Sequence, residues 1–127
     1  MPGRTVVRWL KGDRRRVRGA VSTTFKGITF RSKREATRYG ELLLLERAGK
    51  IRGLRRQVRF PLHTVDPLGL VVVVGHYVAD FTYFDAREDR DERTNYRVED
   101  AKGWRTEIYD WKRRHMKAEY HIIIREI

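Results

Sequence analysis

Apolar and polar positions follow two different rhythms along this chain, and the rhythm changes at a few serines, glycines and charged runs. Val21 to Phe25 and Ile28 to Phe30 are short β-prone runs on either side of Lys26-Gly27, which predicts a hairpin. From Ser32 to about Ala48 the period is helical. Ser32-Lys33-Arg34-Glu35 has the form of a capping box, and Gly49 follows the last turn. Leu42 to Leu45 stand in succession on that helix and wrap more than one face, so part of the run is expected to need a cover beyond its own sheet. Ile51 to Leu62 reads as a strand with a basic face, since Arg52, Arg55, Arg56 and Arg59 interrupt its β-prone positions. Asp66-Pro67-Leu68-Gly69 has β-turn composition, which makes Asp66 a turn former. The strand from Leu70 to about Tyr83 ends near Asp85, and its apolar run Val71 to Val74 with Tyr77 and Val78 reads as buried. Ala86 to Asn95 mixes charges of both signs and reads as a solvated hairpin loop. A further strand, Val98 to Lys102, is broken by Gly103. Thr106 caps a second helix to about Tyr120, with Ile108, Trp111, His115 and Ala118 as its expected buried stripe, and Ile122 to Ile124 form a last short strand.

Composition narrows the class of partner. The 127 residues suggest one domain, here residues 17–127, behind a basic arm at residues 1–16. Twenty-nine Lys and Arg against 17 Asp and Glu give a net charge of +12, and a polyanion is the natural partner of such a chain. Nucleic acid comes first. A membrane partner is not expected, because no apolar run approaches bilayer length and the basic residues are not confined to one amphipathic helix. The lack of cysteine excludes disulfides and thiolate zinc sites and fits a cytoplasmic setting; no secretory h-region is visible near Met1. His63, His115 and His121 have no metal-ligand spacing.

The candidate chemistry lies between Tyr77 and Lys102. Strand alternation sends Asp100 and Lys102 to one face and Glu99 and Ala101 to the other, so Asp100 and Lys102 can share a site. Asp80 closes an apolar strand, and a carboxylate there needs a partner, for which a metal ion would serve. An acid-x-lysine triplet is weak by itself, and Asp110-Trp111-Lys112 has the same form. That second triplet falls in a helical segment, where residues two apart diverge. On local sequence Glu35 is a capping-box residue.

The predicted order, a hairpin and then helix, three strands, helix, strand, carries acids on the first helix and the second strand and an acid beside a lysine on the third. With Ser32-Lys33-Arg34-Glu35-Ala36, Val78-Ala79-Asp80-Phe81 and Val98-Glu99-Asp100-Ala101-Lys102-Gly103, it resembles the PD-(D/E)XK nuclease superfamily over about residues 17–127. Within that superfamily it looks most like a phage-encoded group of small nucleases, and beyond it like archaeal-type Holliday junction resolvases. Ala79 replaces the superfamily's proline, and Glu99 stands beside Asp100. The resemblance implies an α/β fold, a central mixed sheet of four to five strands flanked by helices, with a restriction-endonuclease-like αβββαβ core behind an N-terminal hairpin. It implies that Glu35, Asp80 and Asp100 hold magnesium, with manganese able to substitute, and that Lys102 positions or activates water. Glu99, Gln57, His76 and Lys112 are accessory candidates. Arg14, Arg15, Arg16, Arg18, Arg55, Arg56, Arg113, Arg114 and Lys117 are candidates for phosphate contacts. The expected activity is structure-selective endonucleolytic cleavage, with four-way junctions or branched duplex as substrate and a homodimer in the cytoplasm, that of a host if the gene is a phage's. A transposase-like or duplex-specific nuclease of the same superfamily, or a basic DNA-binding protein without chemistry, remains the alternative.

Overall fold

The computed structural model describes residues 22–87, 91–102 and 104–127. Strands β1 (Thr23–Phe25) and β2 (Ile28–Phe30) pair antiparallel across Lys26 and Gly27, whose φ angles of 52° and 78° suit a tight primed turn. Helix α1 (Lys33–Arg47) starts where the Ser32 hydroxyl accepts a hydrogen bond from the Glu35 amide. It stops at Ala48, followed by Gly49 at φ 75°. Strands β3 (Ile51–Val65) and β4 (Val71–Asp85) form a long antiparallel hairpin. At its tip the Asp66 carboxylate accepts from the amides of Leu68 and Leu70, as a turn former should. Strand β5 (Tyr96–Asp100), helix α2 (Glu107–Tyr120) and strand β6 (Arg125–Glu126) follow. The sheet order is β3-β4-β5-β6, antiparallel except for the parallel β5-β6 pair. The fold is therefore α/β, with a four-stranded mixed sheet and a separate two-stranded hairpin. Among the described residues no helix is long and apolar enough to cross a membrane.

Two apolar clusters hold the layers together. One joins Leu62, Tyr77, Ala79 and Val98 to Tyr109 and Met116 of α2 and to Ile124. The other joins Phe30, Ile51, Phe81 and Tyr83 to Ala36 and Leu42 of α1. Three expectations are corrected here. The buried stripe of α2 is Tyr109 and Met116, two turns apart, while Ile108 and Trp111 face outward at 69% and 50% exposure, Ala118 is exposed and His115 is half-buried. Both sets of positions have helical period, so only packing decides the phase. Val71 to Val74 are all exposed, because β4 meets β5 only from Phe81 onward and the distal hairpin runs past that neighbour. Ile122 to Ile124 are not a strand; His121 takes the left-handed cap position at φ 58°, Ile124 is buried, and pairing begins at Arg125. On α1, Leu42 is buried and Leu45 packs against the second cluster, which leaves only Leu44 of the four well exposed.

Besides the register shifts of the β3-β4 pair at Arg52/Arg55 and Leu62/His63, side-chain alternation on β4 fails between Ala79 and Phe81. Tyr77 and Ala79 of β4 belong to the α2 cluster, but Phe81 and Tyr83, of the same parity, belong to the α1 cluster. On β3, Phe60 and Leu62 pack on the α2 side whereas Leu54 packs on the α1 side. Between the two halves lies Gln57, at φ 52° in mid-strand, facing Asp80 across the hairpin. A non-glycine residue there costs on the order of 1–3 kcal/mol and persists only where its surroundings enforce it.

Candidate functional site

The crossover point is where the acids gather. Glu35 comes from the first turn of α1, Asp80 from β4 and Asp100 from the end of β5, and all three are buried. The Gln57 amide nitrogen donates to Glu35 Oε2 at 3.2 Å and to Asp80 Oδ1 at 3.3 Å, so its left-handed backbone sets one side chain between two carboxylates. Asp80 Oδ2 accepts from the Ala101 amide at 2.8 Å. Asp100 Oδ2 accepts from the Tyr77 hydroxyl at 2.7 Å, and Asp100 Oδ1 lies 3.2 Å from Lys102 Nζ. Lys102 Nζ also sits 4.3 Å above the Tyr109 ring, so a carboxylate and an aromatic face hold its charge in place. Arg34 of α1 donates to the Lys102 carbonyl at 3.0 Å and ties the helix to the chain just after β5.

Charge crowding marks the same spot. Burial, then the neighbouring Glu35 and Asp100, push the Asp80 carboxyl up to about 7, against the pull of the Ala101 amide and Arg31. Burial raises Glu35 as well, with Asp100 adding to the rise and Arg31 and Arg56 opposing it. The Tyr77 hydroxyl is raised by burial and by Asp100, so it remains a donor to that carboxylate. Glu35 and Asp80 thus resist ionising together, and with Asp100 they offer the oxygen donors that suit a hard divalent cation such as magnesium or manganese. Among the described residues no three acids or histidines yet converge closely enough to hold a metal ion, and the Gln57 amide lies between two of them. The donor chemistry of Glu35, Asp80 and Asp100 fits such an ion.

Most of the acids named from sequence meet, and some accessory residues do not. Glu99, one residue from Asp100, points to the other layer, fully buried, where Arg38 grips it with bonds of 2.8 and 2.7 Å and the Tyr83 hydroxyl donates to it. Burial and that bond to Glu99 push Tyr83 up to about 12. Glu99 is thus the anchor of α1 on the sheet and stands apart from the three acids. His76 faces Pro61, four residues along β4 from Asp80, and no hydrogen bond or ion pair among the described residues joins it to the acids. Lys112 is half-buried on α2. Arg55 is exposed on β3, but Arg56 turns inward, with its guanidinium 4.6 Å from the centre of the Phe30 ring. Arg114 and Lys117 are exposed, and Arg113 is half-buried near Asp110. Arg14, Arg15, Arg16 and Arg18 lie outside the described residues. Sequence reasoning missed Tyr77, Tyr109 and Arg31; for Tyr77 the signal was a tyrosine inside a buried strand, whose hydroxyl must find a partner.

No curated protein and no solved structure matches the chain. Residues 15–126, nearly its whole length, match the family model described as "Protein of unknown function (DUF1064)". The chain belongs to the DUF1064 family.

Proposed function

We propose that this protein is a divalent-metal-dependent endodeoxyribonuclease acting on branched DNA, with the four-way junction as its preferred substrate. One observation carries the reading: α1, β4 and β5 bring three buried carboxylates together beside a lysine, in a chain of net charge +12. Bare acids at that spot would repel phosphate, so a phosphate-binding face that contains them calls for a cation. Magnesium held by Glu35, Asp80 and Asp100 would supply positive charge at the scissile phosphate and Lewis acidity toward water. Lys102 places a fixed positive charge where charge develops on the phosphate oxygens. Tyr77 orients Asp100, the Ala101 amide orients Asp80, and Gln57 spaces Glu35 from Asp80. Arg31 and Arg56 add positive charge that acts on Glu35. Reading of DNA shape by a basic surface would favour branched substrates. Its place of action is the cytoplasm, where DNA is accessible and a cysteine-free chain loses nothing.

A second reading has an observation of its own. The acids already have protein partners in Gln57, Tyr77 and Lys102, as they would in a DNA-binding protein without chemistry. Incubating labelled junction, fork and linear duplex with and without magnesium separates the two. The junction is cut only with the ion, and Asp80→Asn, Asp100→Asn and Lys102→Ala each lose about 100-fold or more in rate while still binding DNA. Wild-type cleavage by Asp80→Asn would refute the site. Equal cutting of linear duplex would shift the reading to a duplex-specific nuclease, and binding without cleavage would leave the second reading standing.

A further inference from the structure

The distal half of the β3-β4 hairpin is an apolar arm without a cover. Val71 to Val74 are exposed in succession, with Val65, Leu68 and Leu70 beside them, and Leu68 reaches 85% exposure. Because β5 pairs with β4 only from Phe81 onward, the outer edge of β4 from Val71 to Ala79 has no partner strand among the described residues. Successive strand residues point to opposite faces, so four exposed valines mean that neither face of β4 is covered there, although Glu119 of α2 reaches the facing strand at His63, opposite Val73. A two-stranded ribbon with apolar faces and an open edge is marginal in water and readily pairs with another chain.

Charge identifies the occupant. From Phe60 to Ala86 there is no Lys or Arg, in a chain that has 29 of them. A polyanion gains nothing from that stretch, whereas two molecules of charge +12 can meet there without bringing their basic residues together. Another exposed apolar surface, Ile108 and Trp111 on α2, is interleaved with Lys112, Arg113 and Arg114, and two copies meeting there would oppose like charges. We infer that the arm is the dimer contact of this protein: the Val71–Val74 arms of two copies pack antiparallel about a two-fold axis. An isologous contact of this kind is closed, so it ends at a dimer and does not run on into a filament. The basic remainder of both copies stays free. This assignment moves the second cover from the leucines of α1 to the hairpin, and it does not rest on the nuclease reading.

Sedimentation of the full chain without DNA tests it. The wild type runs at twice its 15.2 kDa. Val72→Lys/Val74→Lys and Val71→Lys/Val73→Lys run as monomers with unchanged circular dichroism, since these side chains are already exposed. Leu44→Lys, on the exposed face of α1, stays dimeric. If the lysine variants misfold, Val72→Thr/Val74→Thr keeps the strand propensity and still weakens the dimer on dilution. A monomeric wild type, valine variants that remain dimeric, or a monomeric Leu44→Lys overturns the assignment.

Discussion

Asp80 shows how a single side chain couples the site to stability. Its carboxyl moves from an ordinary 3.8 to about 7 on folding, so between those values the folded protein holds a proton that the unfolded chain has released. Stability from this proton is complete below the unfolded value and is lost as pH rises through about 7. The metal-free wild type should therefore lose on the order of 2 kcal/mol between about pH 5 and about pH 8, and Asp80→Asn should lose markedly less. Thermal melts of both proteins at the two pH values check this, and equal losses would contradict it. Added magnesium should raise the wild-type melting temperature at the higher pH and leave Asp80→Asn unmoved. Gln57 makes the complementary case. Its left-handed φ favours glycine, so Gln57→Gly should keep the fold within about 1 kcal/mol while cleavage of a junction falls about tenfold or more. A Gln57→Gly protein that cuts as fast as wild type would reduce the strained backbone to a packing accident.

At the scale of elements, the hydrophobic rhythm located the helices and strands, but rhythm alone did not say which way each faced. Helix α2 runs from the predicted cap Thr106 to the predicted end Tyr120, yet it is rotated from the stripe of Ile108 and Trp111 to that of Tyr109 and Met116. Tyr109 is drawn inward because its hydroxyl reaches Glu126 at 2.8 Å and its ring lies under Lys102. Met116→Ala should accordingly cost about 2–4 kcal/mol in a denaturant titration, and Ile108→Ala less than about 1 kcal/mol. The reverse order would restore the stripe read from periodicity. Strand parity did better on β5, where it separated Asp100 from Glu99, because that short strand alternates regularly. It misled on β4, where alternation breaks opposite Gln57 and the distal valines are left exposed.

At the scale of the whole molecule, the +12 charge makes phosphate contact the main source of DNA affinity in the proposed function. Deleting residues 1–16 removes Arg4, Arg8, Lys11, Arg14, Arg15 and Arg16. The slope of log affinity against log salt should then flatten by between about one and five, while the domain still folds. An unchanged slope, measured by titration over a range of salt, would show that the arm makes no phosphate contact. What the sequence determined by itself was local or additive: the caps at Ser32 and Thr106, the Asp66 turn, the order of elements, the α/β class, the charge, and the facing of Asp100 against Glu99. These depend on neighbours a few residues away or on a sum over the chain. Only the tertiary structure decided that Gln57 stands between Glu35 and Asp80, that Tyr77 and Tyr109 steady Asp100 and Lys102, that α2 turns Met116 inward, and that the four valines are bare. Each of those depends on which distant segment lies across the sheet, and no periodicity along one strand or helix contains that information.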